Sequence, residues 1–188
     1  MLNGAFTTVI VIVIVIVVLA GIVIGLYNNF VQLRNRVDNA WAQIEVQLQR
    51  RFDLIPNLIE TVKGYAAHER GTFERVVEAR NAAASATTVE QRVEAENQIT
   101  AALRQLFALA EAYPDLKANT NFLDLQAQLK DTEDKISYMR QSYNDTVMNF
   151  NNAIQTFPGV LFAGMFGFAK RTLFEAGEAA NNVPVVQF

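Results

Sequence analysis

"RRFDLIPNLIETVKGYAAHER", residues 50–70, contains the chain's one histidine, His68, and an interior proline, Pro56. Its reading decides whether the helical segments around Pro56 form a hairpin or one rod. Asp53 followed by Leu54, Ile55 and Pro56 suits an N-cap and first helical turn, where the missing proline N–H leaves no bond broken. That reading puts a reversal near Arg51–Phe52. Against it, Val37, Ile44, Leu58 and Tyr65 keep one seven-residue phase across Pro56, as do Trp41, Leu48, Ile55 and Val62. A single helix kinked at Pro56 has the same pattern, so periodicity leaves both readings open. On either one, Pro56 is structural.

His68 has no chemistry to join. A zinc site needs several N, S or O ligands, and the chain has one histidine and no cysteine. A di-iron bundle needs Glu-x-x-His on two helices, and the residues before His68 are Tyr65, Ala66 and Ala67. A histidine facing water or capping a helix is the expected role. A hydrolase triad lacks its base within reach, and neither a G-x-S-x-G elbow nor a G-x-x-x-x-G-K-[ST] phosphate loop is present. No catalytic residue, metal or cofactor is expected. The remaining carboxylates sit on amphipathic helices and read as the wet face.

Upstream, no residue from Ala5 to Leu26 is charged, and Val9 to Val18 reads "VIVIVIVIVV". In water such a β-branched run suggests a buried strand. Its length overrules this, because about 22 apolar residues rise roughly 33 Å as a helix, the thickness of a bilayer core. A lone strand in lipid would leave its backbone unpaired. With no basic residue before the run and no A-x-A-like site after it, the segment reads as an uncleaved anchor. Residues 1–8 carry no Lys or Arg, whereas Arg34 and Arg36 lie just beyond the span. Positive-inside logic therefore predicts a single-pass protein with its N-terminus outside and its bundle cytoplasmic. Gly21 and Gly25 form a GxxxG pair that would let two membrane helices approach.

Downstream, Phe30, Val37, Trp41, Ile44, Leu48 and Ile55 recur at helical spacing without an intervening glycine or proline. A second run, from Leu58 through Val62, Tyr65, Phe73 and Val76, extends to about Ala84. "TTVE" offers a capping box with Thr87 at the N-cap and Glu90 three residues on. The third helix runs to about Ala112, where "YPDLKAN" ends it. The fourth spans about Thr120 to Thr156. Short links between long amphipathic helices predict an all-α chain: an anchor over 1–26, then an antiparallel up-and-down four-helix bundle with coiled-coil-like packing over 27–156.

Residues 157–188 form an apolar, Gly/Phe-rich end. Pro158 and Gly159 stop the fourth helix, and Gly164 and Gly167 disfavour another long one. Phe157, Leu161, Phe162, Met165, Phe166, Phe168 and Phe174 are the expected interaction segment, together with the terminal Phe188. One reading folds it over the bundle's own end. The other packs it on a neighbouring copy or at the lipid interface, with Lys170 and Arg171 toward phosphates.

The 188-residue chain has room for one membrane segment and one compact domain, and its net charge of −3 offers no footprint for nucleic acid. The stretches "YNNFVQLRNRVDNAWAQIEVQLQRRFDLIPNLIETVKGYAAHE", "RQLFALAEAYPDLKANTNFLDLQAQL" and "YNDTVMNFNNAIQTFPGVLFAGMFGF" resemble the LemA family of bacterial membrane proteins. The likeness covers about residues 27–175. It implies a membrane helix of the bacterial inner membrane with an up-and-down four-helix bundle and no established enzymatic activity, and favours the reversal at Arg51–Phe52. The chain is also similar to a magnetosome membrane protein needed to build those vesicles. Two departures stand out: Phe52 replaces the histidine expected in "RRHDLIPNL", and "FPGVLF" replaces "FPSNLI". Any family site needing that histidine is absent here. The expected function is a non-enzymatic scaffold, homo-oligomeric and organising membrane or envelope partners. The alternatives are an adaptor for a membrane protease and a carboxylate enzyme, which would need two acids with separated pKa values.

Overall fold

The computed structural model describes residues 2–66 and 68–174. Six helices follow in order: α1 Leu2–Lys63, α2 Arg70–Ser85, α3 Val89–Ala110, the short α4 Pro114–Lys117, α5 Thr120–Gln155 and the single turn α6 Val160–Ala163. No strand occurs among the described residues, so the chain is all-α. It divides into two compact units, Met1–Ala40 with Asp145–Arg171, and Trp41–Asn144 with Thr172–Phe188.

α1 overturns the reversal at Arg51–Phe52. It passes through Pro56 as one helix of 62 residues. Asp53 is not an N-cap; its carboxylate accepts from Gln49 Nε2, one turn back, at 2.8 Å. Pro56 has no N–H for the carbonyl of Phe52, the acceptor four residues earlier. A side chain from α2 answers that carbonyl: Arg80 Nε donates to it at 3.4 Å, and the Arg80 guanidinium lies 3.7 Å from the Phe52 ring centre. Phe52 therefore provides the face on which this arginine rests.

The chain reverses instead between α1 and α2, at Gly64–Glu69, so the run expected from Leu58 to Ala84 is two segments. Glycine lacks a side chain to favour the helix, and the amides of Tyr65 and Ala66 both turn back to the Val62 carbonyl. His68 lies exposed in this turn. The second correction is small. α3 is capped by Thr88, whose hydroxyl accepts from the Gln91 amide, and Gln91 reaches back to complete the capping box. The Gln91 side-chain oxygen also takes the Thr87 hydroxyl and N–H, which moves the cap one residue on. At the next corner Asn119 accepts from the Phe122 amide at 3.0 Å and donates to the Tyr65 hydroxyl at 2.9 Å.

Within the second unit the helices run up and down. Arg80 meets Phe52, Tyr113 meets Glu69, and Trp41 meets Tyr143, each pair joining opposite ends of neighbours. The seam is apolar: Ile55, Leu58, Val76, Ile99 and Leu106 are sealed from solvent. Side chains at three- and four-residue steps meet in this way when antiparallel helices interlock.

The first unit centres on Phe168, whose ring lies 5.2 Å from Phe30, 5.9 Å from Tyr27 and 6.4 Å from Phe150. The chain turns tightly after α5, through a cis Phe157–Pro158 bond. A Cβ at Gly159 would stand 2.2 Å from the Ala153 carbonyl oxygen and 3.0 Å from the Phe30 ring. Only glycine fits, which gives a packing reason for "FPGVLF".

Two outcomes follow. Arg80→Ala is expected to lower unfolding free energy by about 1–2 kcal/mol, from the carbonyl left without its donor and the lost ring contact. Pro56→Ala, which restores an N–H for Phe52, should reduce that loss, and additive values in a double-mutant cycle would refute the pairing. Gly159→Ala should cost about 1–3 kcal/mol by overpacking, read as a lower melting temperature by circular dichroism.

Candidate functional site

The second unit buries a charge cluster in its apolar seam. Arg51 continues the heptad series Val37, Ile44, Leu58, in which it is the charged member, and it is 1% exposed. Its Nη1 donates to Thr100 Oγ1 at 3.0 Å and pairs with Glu133 Oε2. Its Nη2 donates to the Glu96 carbonyl at 3.3 Å and pairs with Glu96 Oε2. Glu96 is as buried as Arg51, whereas Glu133 is 37% exposed. α1, α3 and α5 each supply one charged member.

A second arginine balances the pair of acids electrostatically. Burial pushes the Arg140 guanidinium pKa down, Glu133 draws it up, Arg51 adds to the fall and Glu96 opposes it. The Arg140 guanidinium stacks 4.2 Å from the ring centre of Phe174. Phe174 is held by its backbone: Asn144 accepts its N–H at 2.7 Å and donates to its carbonyl at 3.0 Å. In the first unit Asn151 does the same for Arg171, with both bonds 2.9 Å. Each asparagine amide thus acts as a one-residue strand partner for an extended segment.

Beside the cluster α3 and α5 leave a groove of about 700 Å³. Leu103, Phe107, Leu123 and Ala127 give it an apolar lining; Arg104, Lys130, Glu133 and Asp134 supply charges. The volume is that of a pocket for a small molecule or a peptide side-chain cluster, ~300–1,000 Å³. Glu133 and Thr100, the polar groups shared with the cluster, are both bonded to Arg51. Among the described residues no group of three or more His, Asp or Glu is placed to hold a metal ion.

The residues singled out by sequence lie elsewhere. Gly21 and Gly25 are exposed, with open space where a Cβ would stand. Arg34 is exposed with its guanidinium 5.4 Å from the Phe168 ring centre, and Arg36 is exposed. The C-terminal segment is divided. Phe168 and Phe174 are buried in their own chain, Phe162 is half-buried, and Phe157, Leu161, Met165 and Phe166 face outward. Arg171 pairs with Asp38 at 3.0 Å, and Lys170 is exposed. Phe188 lies outside the described residues. The charge cluster and the asparagine clamps were missed. The heptad place of Arg51 was the available signal for the first.

Removing one member of a buried ion pair strands the other. Arg51→Leu is expected to cost about 3–5 kcal/mol, whereas Arg51→Leu with Glu96→Leu should recover most of that loss. Chemical unfolding of the full chain in detergent, followed by circular dichroism, measures both. A double variant no more stable than the single one would show that the cluster does not act as a unit.

The family model of the LemA family matches residues 40–188. The chain is 25% identical over 186 residues to Magnetosome protein MamQ of Magnetospirillum gryphiswaldense, spanning 85% of this chain and 68% of that protein. It is 25% identical over 158 residues to Protein LemA of Metamycoplasma hominis, spanning 84% of this chain and 72% of that protein. Magnetosome protein MamQ 2 of Paramagnetospirillum magneticum is 24% identical, with 85% of this chain and 68% of that protein covered. The N-terminal apolar helix, of membrane-crossing length and with every large apolar side chain from Phe6 to Leu19 exposed, fits a membrane protein. With most of its length matched, this chain belongs to the LemA family.

Proposed function

We propose that this protein is a non-enzymatic scaffold, anchored in the bacterial inner membrane, that self-associates and organises membrane or envelope partners. The observation that carries the reading is α1, one helix from the apolar span to Lys63, where it supplies a wall of the bundle seam. Whatever the bundle holds is then tethered to the apolar span through α1 itself. Self-association draws on Gly21 and Gly25, whose open faces suit close approach of two spans in lipid. The magnetosome names of several relatives agree with an organising role at membranes. The paired state of Arg51, Glu96 and Glu133 speaks for architecture over catalysis.

A second reading, adaptor for a membrane protease, draws on the α3–α5 groove. Its apolar lining and mixed charges suit an extended peptide. Purification from native membranes distinguishes the two: recovery of the chain alone or with several envelope proteins supports the scaffold, and a stoichiometric protease supports the adaptor.

Two further outcomes test the scaffold. Gly21→Leu with Gly25→Leu should lower the mass of the assembly in mild detergent while helicity is retained, and an unchanged mass would remove the span from self-association. With Arg34 and Arg36 on the cytoplasmic side, protease added to intact spheroplasts should spare the bundle. Digestion without lysis would reverse the topology.

A further inference from the structure

The stretch "FPGVLFAGMFGFA", residues 157–169, contains no polar side chain. Part of it is core: Ala163 and Phe168 turn inward. The rest is not. Phe157 and Met165 are each 79% exposed, and Val160, Leu161 and Phe166 join them on the outside. This apolar lobe lies where the span ends. The Phe166 ring packs edge-on at 5.2 Å against Tyr27, the residue that follows the apolar run ending at Leu26. We infer that the lobe around α6 is a second membrane contact, seated in the interface of the leaflet from which the span emerges.

Three observations select lipid as the occupant. The surface is continuous with the span through the Tyr27–Phe166 contact, at the level where aromatic side chains favour the membrane–water boundary. Much of the lobe's irregular backbone bonds within the lobe, which an apolar medium favours: the amides of Val160, Phe162, Ala163, Phe166 and Phe168 reach carbonyls between Thr156 and Ala163. The flanking charges suit phosphate headgroups, since Arg34, Arg36 and Lys170 are exposed on the same unit and its Asp38 is engaged by Arg171. The inference rests on the reading of the N-terminal helix as a membrane span, and the test separates the two.

The chain has no cysteine, so single cysteines at Leu161, Met165, Val15 and Val46 can each carry an environment-sensitive fluorophore. Each labelled full-length protein is placed in nanodiscs of zwitterionic and anionic phospholipid, one copy per disc. Nitroxide lipids and aqueous iodide serve as quenchers. Labels at 161 and 165 should be quenched by shallow nitroxides and be severalfold less open to iodide than the label at 46. The label at 15 should be quenched by deep nitroxides. Labels at 161 and 165 as open to iodide as the one at 46 would overturn the lobe's membrane contact while leaving the anchor in place. Protection from iodide without nitroxide quenching would mean a protein contact and overturn it equally, as would quenching that appears only with several copies per disc. A label at 15 outside the bilayer core would overturn the anchor and, with it, this inference.

Discussion

The bundle depends on one buried cation. An apolar heptad seam accepts several registers, because one layer of Leu, Ile and Val resembles the next. A charge inside the seam accepts only a register that supplies its partners. Arg51, 1% exposed, meets Glu96 on α3 and Glu133 on α5, so it ties three helices to a single alignment. Sliding α1 or α3 by one heptad would leave Arg51 or Glu96 unpaired in a place without water, at a cost of several kcal/mol. The apolar layers contribute affinity between helices, and this cluster contributes uniqueness.

Pro56 shows the complementary arrangement, where a defect in one helix is met by a residue of another. The break in the backbone ladder is local, but Arg80, which answers the Phe52 carbonyl, lies 28 residues on. α1 can continue because α2 lies against it. That also explains which of the two readings of Pro56 holds, against the one that the family resemblance favoured. "DLIP" satisfies every local condition for a helix start, and only the seven-residue phase across it argued otherwise. The phase held because packing against neighbours outweighs a single lost bond. The all-α class, the apolar span and the later helices were legible for the same reason: period is a property of the chain itself. Thr88 displaced Thr87 as a cap because Gln91 serves both threonines, a choice made by side-chain geometry that spacing does not contain.

The candidate site was less legible, and the reasons differ by residue. Glu96 looked like one more wet carboxylate, yet it shares the three-and-four spacing of Ile99, Leu103 and Leu106. Arg51 filled the gap between Ile44 and Leu58 in a series otherwise apolar. Both could have been found by asking which charges fall on the apolar stripe. The asparagine clamps could not, since nothing in a helical sequence says that Asn144 and Asn151 will bind an extended segment. The groove between α3 and α5 likewise exists only once the two helices are side by side.

The sequence distances within the Arg51 cluster set an order in time. Arg51 is made 45 residues before Glu96 and 82 residues before Glu133. At roughly 5–20 residues per second, the second partner follows the arginine by about 4–16 seconds. The apolar span precedes all three in the chain. Glu96 reaches the arginine about halfway through that interval, and Glu133 completes the set. The chain thereby sets an order of its own: the apolar span is made before the bundle has all the charges that its seam pairs.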